Sequence, residues 1–142
     1  MIVSIKKTGL ITAVFEETFI PYLGCAMEYA AVDTNVEVYV GLIYTAQLAE
    51  KLDKLADTEE LQKKAENLKS AINTYLWNEK KDAYYPYDVR NGEHIDCLMA
   101  STFFPLRMNI AAEEQKKKRL DAYQRNGGSR PFGLRREETC VA

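Results

Sequence analysis

The sequence predicts a mostly helical chain of antiparallel helix pairs, each an apolar inner helix followed by an amphipathic outer one, with one small β-hairpin between pairs. Three observations carry this. Val36-Glu37-Val38-Tyr39-Val40-Gly41-Leu42-Ile43-Tyr44-Thr45-Ala46-Gln47-Leu48-Ala49 is apolar on nearly every side, the pattern of a helix buried on several faces. The following segment, Thr58 to Leu76, is apolar on one face only. Between this pair and the next apolar helix lies an aromatic stretch punctuated by Pro86 and Asn91-Gly92.

The elements follow in order. Residues 1–11 read as a short strand or irregular lead-in. Ile11 to about Ala31 reads as a helix, or two short ones, broken at Pro21 and Gly24. The inner helix runs from about Asn35 to Leu55. Asp33 or Thr34 caps it, because their side-chain oxygens accept from orphan backbone N–H groups. Asp57-Thr58 starts the outer helix. There Leu61, Ala65, Leu68, Ile72 and Tyr75/Leu76 recur at helical spacing, opposite Glu59, Lys63, Glu66, Asn67 and Lys69. After Trp77 the run Ala83-Tyr84-Tyr85-Pro86-Tyr87 is extended, with Pro86 at an edge. Asn91-Gly92 signals a two-residue hairpin turn. A short helix follows in MASTFFPLRMNIA, capped by Ser101 or Thr102, with Pro105 in its first turn. The last helix, about Ala112 to Gln124, puts Leu120 and Tyr123 inside and ends at Gly127-Gly128. A tail over 127–142 has no periodicity. Residues 1–142 therefore form one domain, with a lead-in over 1–30 and the helix pairs over 31–126.

Bulk properties exclude some functions. The 142 residues suit one domain. Net charge is 19 − 21 = −2, which gives no electrostatic reason to expect nucleic acid. The basic run Lys116-Lys117-Lys118-Arg119 follows Glu113-Glu114 and reads as a solvated helix face. The cysteines, Cys25, Cys97 and Cys140, are odd in number and widely spaced. That argues against a disulfide framework or a zinc site and for a reducing, cytoplasmic setting. No membrane span, metal or cofactor is expected: no apolar run reaches the ~18 residues a span needs, and His94 is the only histidine.

Antiparallel geometry places function. An outer helix ends where its inner partner began, so Asp33–Glu37, the hairpin over 78–97 and the helix start near Ser101 share one end. Long loops carry function more often than short turns do.

These stretches resemble a known family. VDTNVEVY is similar to the VDLNA-type helix start of the (α/α)6-toroid glycoside hydrolases, especially the trehalase and processing α-glucosidase families (glycoside hydrolase families 37 and 63). AENLKSAINTYLWNEKKDAYYPYDVRNGEHI resembles their outer helix ending in Leu-Trp-Asn/Asp-Glu, then an aromatic hairpin. ASTFFPLRMNIAAEEQKKKRL resembles their Ala-Ser-x-x-Pro-Leu helix and a Gln-containing outer helix. The match covers roughly residues 30 to 125 and implies an all-α, partial (α/α) toroid of about two of six helix pairs. It implies inverting hydrolysis of α-glucosidic or related linkages by two carboxyl groups. The family's acid and base motifs have no counterpart here.

Five residues stand out as candidate carbohydrate contacts. Asp33 and Asn35 either bind sugar hydroxyls or cap and tie the inner helix. Glu37, in an apolar helix, either faces a polar cavity or pairs with a Lys or Tyr, since a buried carboxylate needs a partner. Tyr85, with Tyr84 and Tyr87, either stacks on a sugar ring or staples the hairpin. Asp96 is a hairpin carboxylate open to recruitment. The competing reading is a non-enzymatic helical module. It would self-associate as a homo-oligomer or complement a partner chain through uncovered apolar flanks.

Overall fold

The computed structural model describes residues 2–5, 8–14, 29–97 and 99–125. Strands β1 (Ile2–Ile5), β2 (Ile11–Val14) and β3 (Tyr29–Ala30) lead into helix α1 (Val32–Lys51), then α2 (Leu55–Ala71) and a π-helical turn, Ile72–Leu76. Strands β4 (Trp77–Asn78), β5 (Ala83–Tyr84), β6 (Tyr87–Asp88) and β7 (Glu93–His94) follow. A 3-10 turn (Ala100–Phe103) runs into α3 (Phe104–Arg107), and α4 (Glu113–Arg125) comes last.

The helical inner–outer architecture holds, but the β content exceeds one hairpin. Five antiparallel strands form a sheet ordered β1-β2-β3-β6-β7, and β4 pairs with β5 separately. Residues 11–14 and 29–30 are extended rather than helical; the remainder of the expected lead-in helix, and the tail after Gly127-Gly128, lie outside the described residues. A short, largely apolar run such as Ile11-Thr12-Ala13-Val14 suits a strand as well as a helix, and strand pairing decides between them.

Helix α1 turns back on α2 three residues earlier than the expected turn near Asp57. Asp53 takes a positive φ of 56°, a conformation short polar residues tolerate. That ends α1 and lets α2 start at Leu55, one turn before Thr58. Thr58 is then buried, its hydroxyl donating to the Lys54 carbonyl at 3.0 Å instead of capping. Ala65, Leu68, Ile72 and Leu76 are buried as their spacing requires, packed with Leu10, Val32, Val36, Trp77, Tyr84 and Ile110. Each large apolar side chain so buried contributes roughly 1.5–3 kcal/mol.

Helix α1 is buried on one side only, against α2 and α3. Among the described residues nothing covers the other side, so Tyr44 and Leu48 are exposed despite the apolar sequence. Leu120, expected inside, is also exposed; Ala122 is the buried position of α4. The basic run is not merely solvated. Lys118 pairs with Glu79 at 2.9 Å, Lys116 with Glu113 at 2.6 Å, and the Arg119 guanidinium lies 4.8 Å from the Phe103 ring centroid. Lys118–Glu79 and Arg125–Asp82 dock α4 on the loop before β5, and Arg119 docks it on the 3-10 turn. No helix among the described residues is long and apolar enough to cross a membrane.

Candidate functional site

The shared end exists. Tyr29 pairs with Asp88 and Ala30 with Tyr87, so the strand feeding α1 lies against the hairpin. The Thr102 hydroxyl donates to the Tyr84 carbonyl, which fixes the 3-10 turn to the same place. Thr102 and Ser101 are buried, and neither caps a helix; Met99 occupies the cap position.

At the start of α1 the cap is Ala31, with no side-chain capping bond. Helix geometry begins one residue before Asp33, so Asp33 and Thr34 fall inside the first turn. Half-buried Asp33 accepts from the Thr34 N–H at 2.8 Å, and its charge there complements the positive helix end. Asn35 is fully buried. Its Oδ1 accepts from the Ile11 N–H at 2.8 Å, while Nδ2 donates to the Ile11 carbonyl at 3.0 Å and the Ala31 carbonyl at 2.8 Å. The carboxamide thus serves as a short stretch of strand, clasping β2 to α1, and no polar atom of it reaches solvent. Glu37 is exposed, has no ion pair with a described residue, and shares a face with Asp33 one turn away.

The hairpin carries the other two candidates. Tyr85 is buried, and Lys81 Nζ sits 5.3 Å from its ring centroid. The same ammonium pairs with exposed Asp96. Lys81, which the sequence reading passed over, therefore joins Tyr85 to Asp96. The Asn91-Gly92 signal gives a turn, but not a two-residue one. Asp88 pairs with Glu93 across a four-residue loop, and Gly92 has the positive φ, 74°, while Asn91 does not. Buried Asp88 selects this form: its Oδ1 accepts from the Arg90 N–H at 2.9 Å and the Asn91 N–H at 3.2 Å, and its Oδ2 from Asn91 Nδ2 at 2.8 Å.

A buried polar hub holds this end together. The Tyr84 hydroxyl lies 2.7 Å from Asn73 Oδ1 and 2.8 Å from Gln115 Oε1, and its single proton serves one acceptor at a time. Asn73 Nδ2 donates to the Ile110 carbonyl, and Gln115 Nε2 to the Asn73 carbonyl. Gln115 Oε1 also accepts from the Ala112 N–H at 3.1 Å, the returning half of a capping box. Burial raises the Tyr84 pKa. Burial lowers that of His94, against hydrogen bonds with the Tyr75 and Trp77 backbone. Buried Cys97 is disulfide-bonded, contrary to the expectation of free thiols. Among the described residues, no three His, Cys, Asp or Glu side chains converge to hold a metal ion.

Two open grooves lie elsewhere. One of about 310 Å³ runs along Thr45, Leu48, Leu52 and Leu61, and one of about 240 Å³ along Val40, Ile43, Tyr44 and Met108. Neither includes Asp33, Asn35, Glu37, Tyr85 or Asp96. At the shared end Glu37 and Asp96 are exposed and Asp33 is half-buried, while Asn35, Thr102 and Tyr84 are buried and bonded.

Comparison with known proteins adds a separate line. Residues 23–139 match the family model described as Trehalase. The Periplasmic trehalase of Salmonella newport is 31% identical over 93 residues, 66% of this chain and 16% of that protein. Those of Salmonella paratyphi B and Salmonella typhimurium are 41% identical over 54 residues, 38% of this chain and 10% of each protein. The chain spans no more than 16% of the length of these curated relatives.

Proposed function

The chain belongs to the trehalase family, and from that premise we propose that it forms one wall of the carbohydrate mouth of an inverting glycoside hydrolase acting on an α-glucoside such as trehalose. The observation that supports this is the shared end itself: β3 paired to β6, with the first turn of α1 and the 3-10 turn fixed beside them. Asp33 and Glu37 lie on its rim and accept hydrogen bonds from sugar hydroxyls. Asp96 and Tyr85 add a second contact when Lys81 swings off the ring, exchanging a cation for an apolar sugar face. Asn35 holds the helix start rather than touching sugar.

Asp33 and Glu37 are not assigned as acid and base. An inverting enzyme attacks from opposite faces of the sugar, with carboxyl groups ~6.5–9.5 Å apart across it. Two carboxylates one turn apart on one helix face present themselves to the same side of a ligand. The acid and base belong to sequence other than the segments matched here, and this chain alone binds without turnover. The Cys97 disulfide and the relatives' name, Periplasmic trehalase, support an oxidising compartment over the reducing one the cysteine spacing implied.

Calorimetric titration with trehalose tests the reading. The chain should bind it, and Asp33→Asn with Glu37→Gln should weaken binding by about ten- to a hundredfold, the range for hydrogen bonds to charged groups. Unchanged affinity in the double variant, or release of glucose by the isolated chain, would overturn it.

A further inference from the structure

The turn between β6 and β7 carries a chemistry that the carbohydrate reading does not use. In an Asn-Gly pair such as Asn91-Gly92 the asparagine side chain is open to attack by its own backbone, because glycine has no side chain to block the approach. The Gly92 nitrogen gives up its proton and bonds to Cγ of Asn91. The Cγ–Nδ2 bond breaks, and ammonia leaves with that proton. Water then opens the five-membered imide at either carbonyl. One opening yields aspartate; the other yields isoaspartate, with the main chain rerouted through Cγ. Water is the only co-reactant, and both Asn91 and Gly92 are exposed to it.

The hydrogen bonds of the turn oppose this closure at both reacting groups. The Gly92 N–H, whose nitrogen is the nucleophile, donates to the Asp88 carbonyl at 2.9 Å, which favours the protonated amide. The leaving group, Asn91 Nδ2, donates to Asp88 Oδ2 at 2.8 Å, and the Asn91 N–H to Asp88 Oδ1 at 3.2 Å. Both groups are thus tied to one residue. Asp88 is itself buried and fixed in the sheet, opposite Tyr29 on one side and Glu93 on the other. Before Cγ can meet the Gly92 nitrogen, the carboxamide must leave Oδ2 and the amide must leave its carbonyl. Giving up a hydrogen bond to a charged acceptor slows such a step by about tenfold or more. The product does not restore the turn. A carboxylate at position 91 would lie where Nδ2 lay, against the Asp88 carboxylate, and like charges there oppose each other.

We propose that Asn91-Gly92 is a latent deamidation site that Asp88 holds shut, so that Asn91 is converted only in molecules whose β6–β7 turn has opened. This stands apart from the sugar reading, and the test is made without sugar. The chain is warmed at neutral pH, folded and in urea. Conversion at Asn91 is followed by peptide mapping with mass spectrometry, separately from Asn126-Gly127, the other such pair in the sequence. Conversion in the folded chain should be slower than in urea by about tenfold or more. Asp88→Ala, where it keeps the circular dichroism of the parent, should lose most of that protection. Where that variant does not fold, the parent below its unfolding transition answers instead. Conversion at Asn91 should then rise with urea in step with amide exchange at Gly92, since both need the same opening. Equal rates in the folded and unfolded chain overturn the proposal. So does a folded Asp88→Ala chain that keeps the parent's slow rate, or conversion that does not follow Gly92 exchange.

Discussion

The two ends of the α1–α2 pair are built on opposite plans. At the hairpin end Asn35, Thr102 and Tyr84 face inward, each hydrogen-bonded and at most 1% exposed. At the other end, around Asp53, apolar groups face outward: Leu52 is 58% and Leu55 67% exposed. The difference teaches that side-chain polarity alone does not place a residue. A buried amide is stable where it meets backbone partners, and an exposed leucine is ordinary on a protein surface.

The strongest break in this contrast comes from Tyr84→Ala. It removes a large buried ring, its edge contact with Trp77 at 5.0 Å, and the hydroxyl shared by Asn73 and Gln115. Urea unfolding should show a loss of about 3–5 kcal/mol. Asn35→Ala comes next. It strands the Ile11 N–H and carbonyl, and about 2–4 kcal/mol should be lost. Amide exchange at Ile11 should then accelerate; unchanged exchange would mean the clasp is not what protects it.

A smaller effect is pH-dependent. The folded-state pKa of His94 is depressed, chiefly by burial. The unfolded chain therefore takes up a proton first as pH falls below about 6.5, and stability drops through that window until the folded-state value is passed. Stability rises again with pH, and His94→Gln should flatten the change below about pH 6.5. The smallest effect is expected at the far end. Leu55→Ser should alter folding stability by no more than about 0.5 kcal/mol. A larger loss would show that Leu55 is covered in solution and that the two ends differ less than their exposures indicate.

The helix pair was legible because α2 carries a single apolar face, and one face suffices to fix its packing. The family was legible from the order of three stretches. Helix α1 was half legible: its apolarity is real, but what covers it depends on a neighbour that one sequence does not show. Of the two readings of Asn35, its bonds fit the tie at the helix start; the partner itself was not legible, because Ile11 lies 24 residues away in a strand that read as helix. Lys81 left no signal at all. Its role depends on meeting Tyr85 and Asp96, a juxtaposition made by the hairpin and not by spacing.

The reach of Gln115 sets a schedule. Its bond to the Asn73 carbonyl spans 42 residues and its contact with Tyr84 spans 31, whereas Asn35 clasps a strand already synthesised before it. On a ribosome, the β2–α1 clasp can close while the hairpin is still being made. The Tyr84 hub must wait until α4 has emerged from the exit tunnel. A nascent chain stalled before Gln115 would therefore hold the start of α1 in place while the hairpin still lacked one of its anchors.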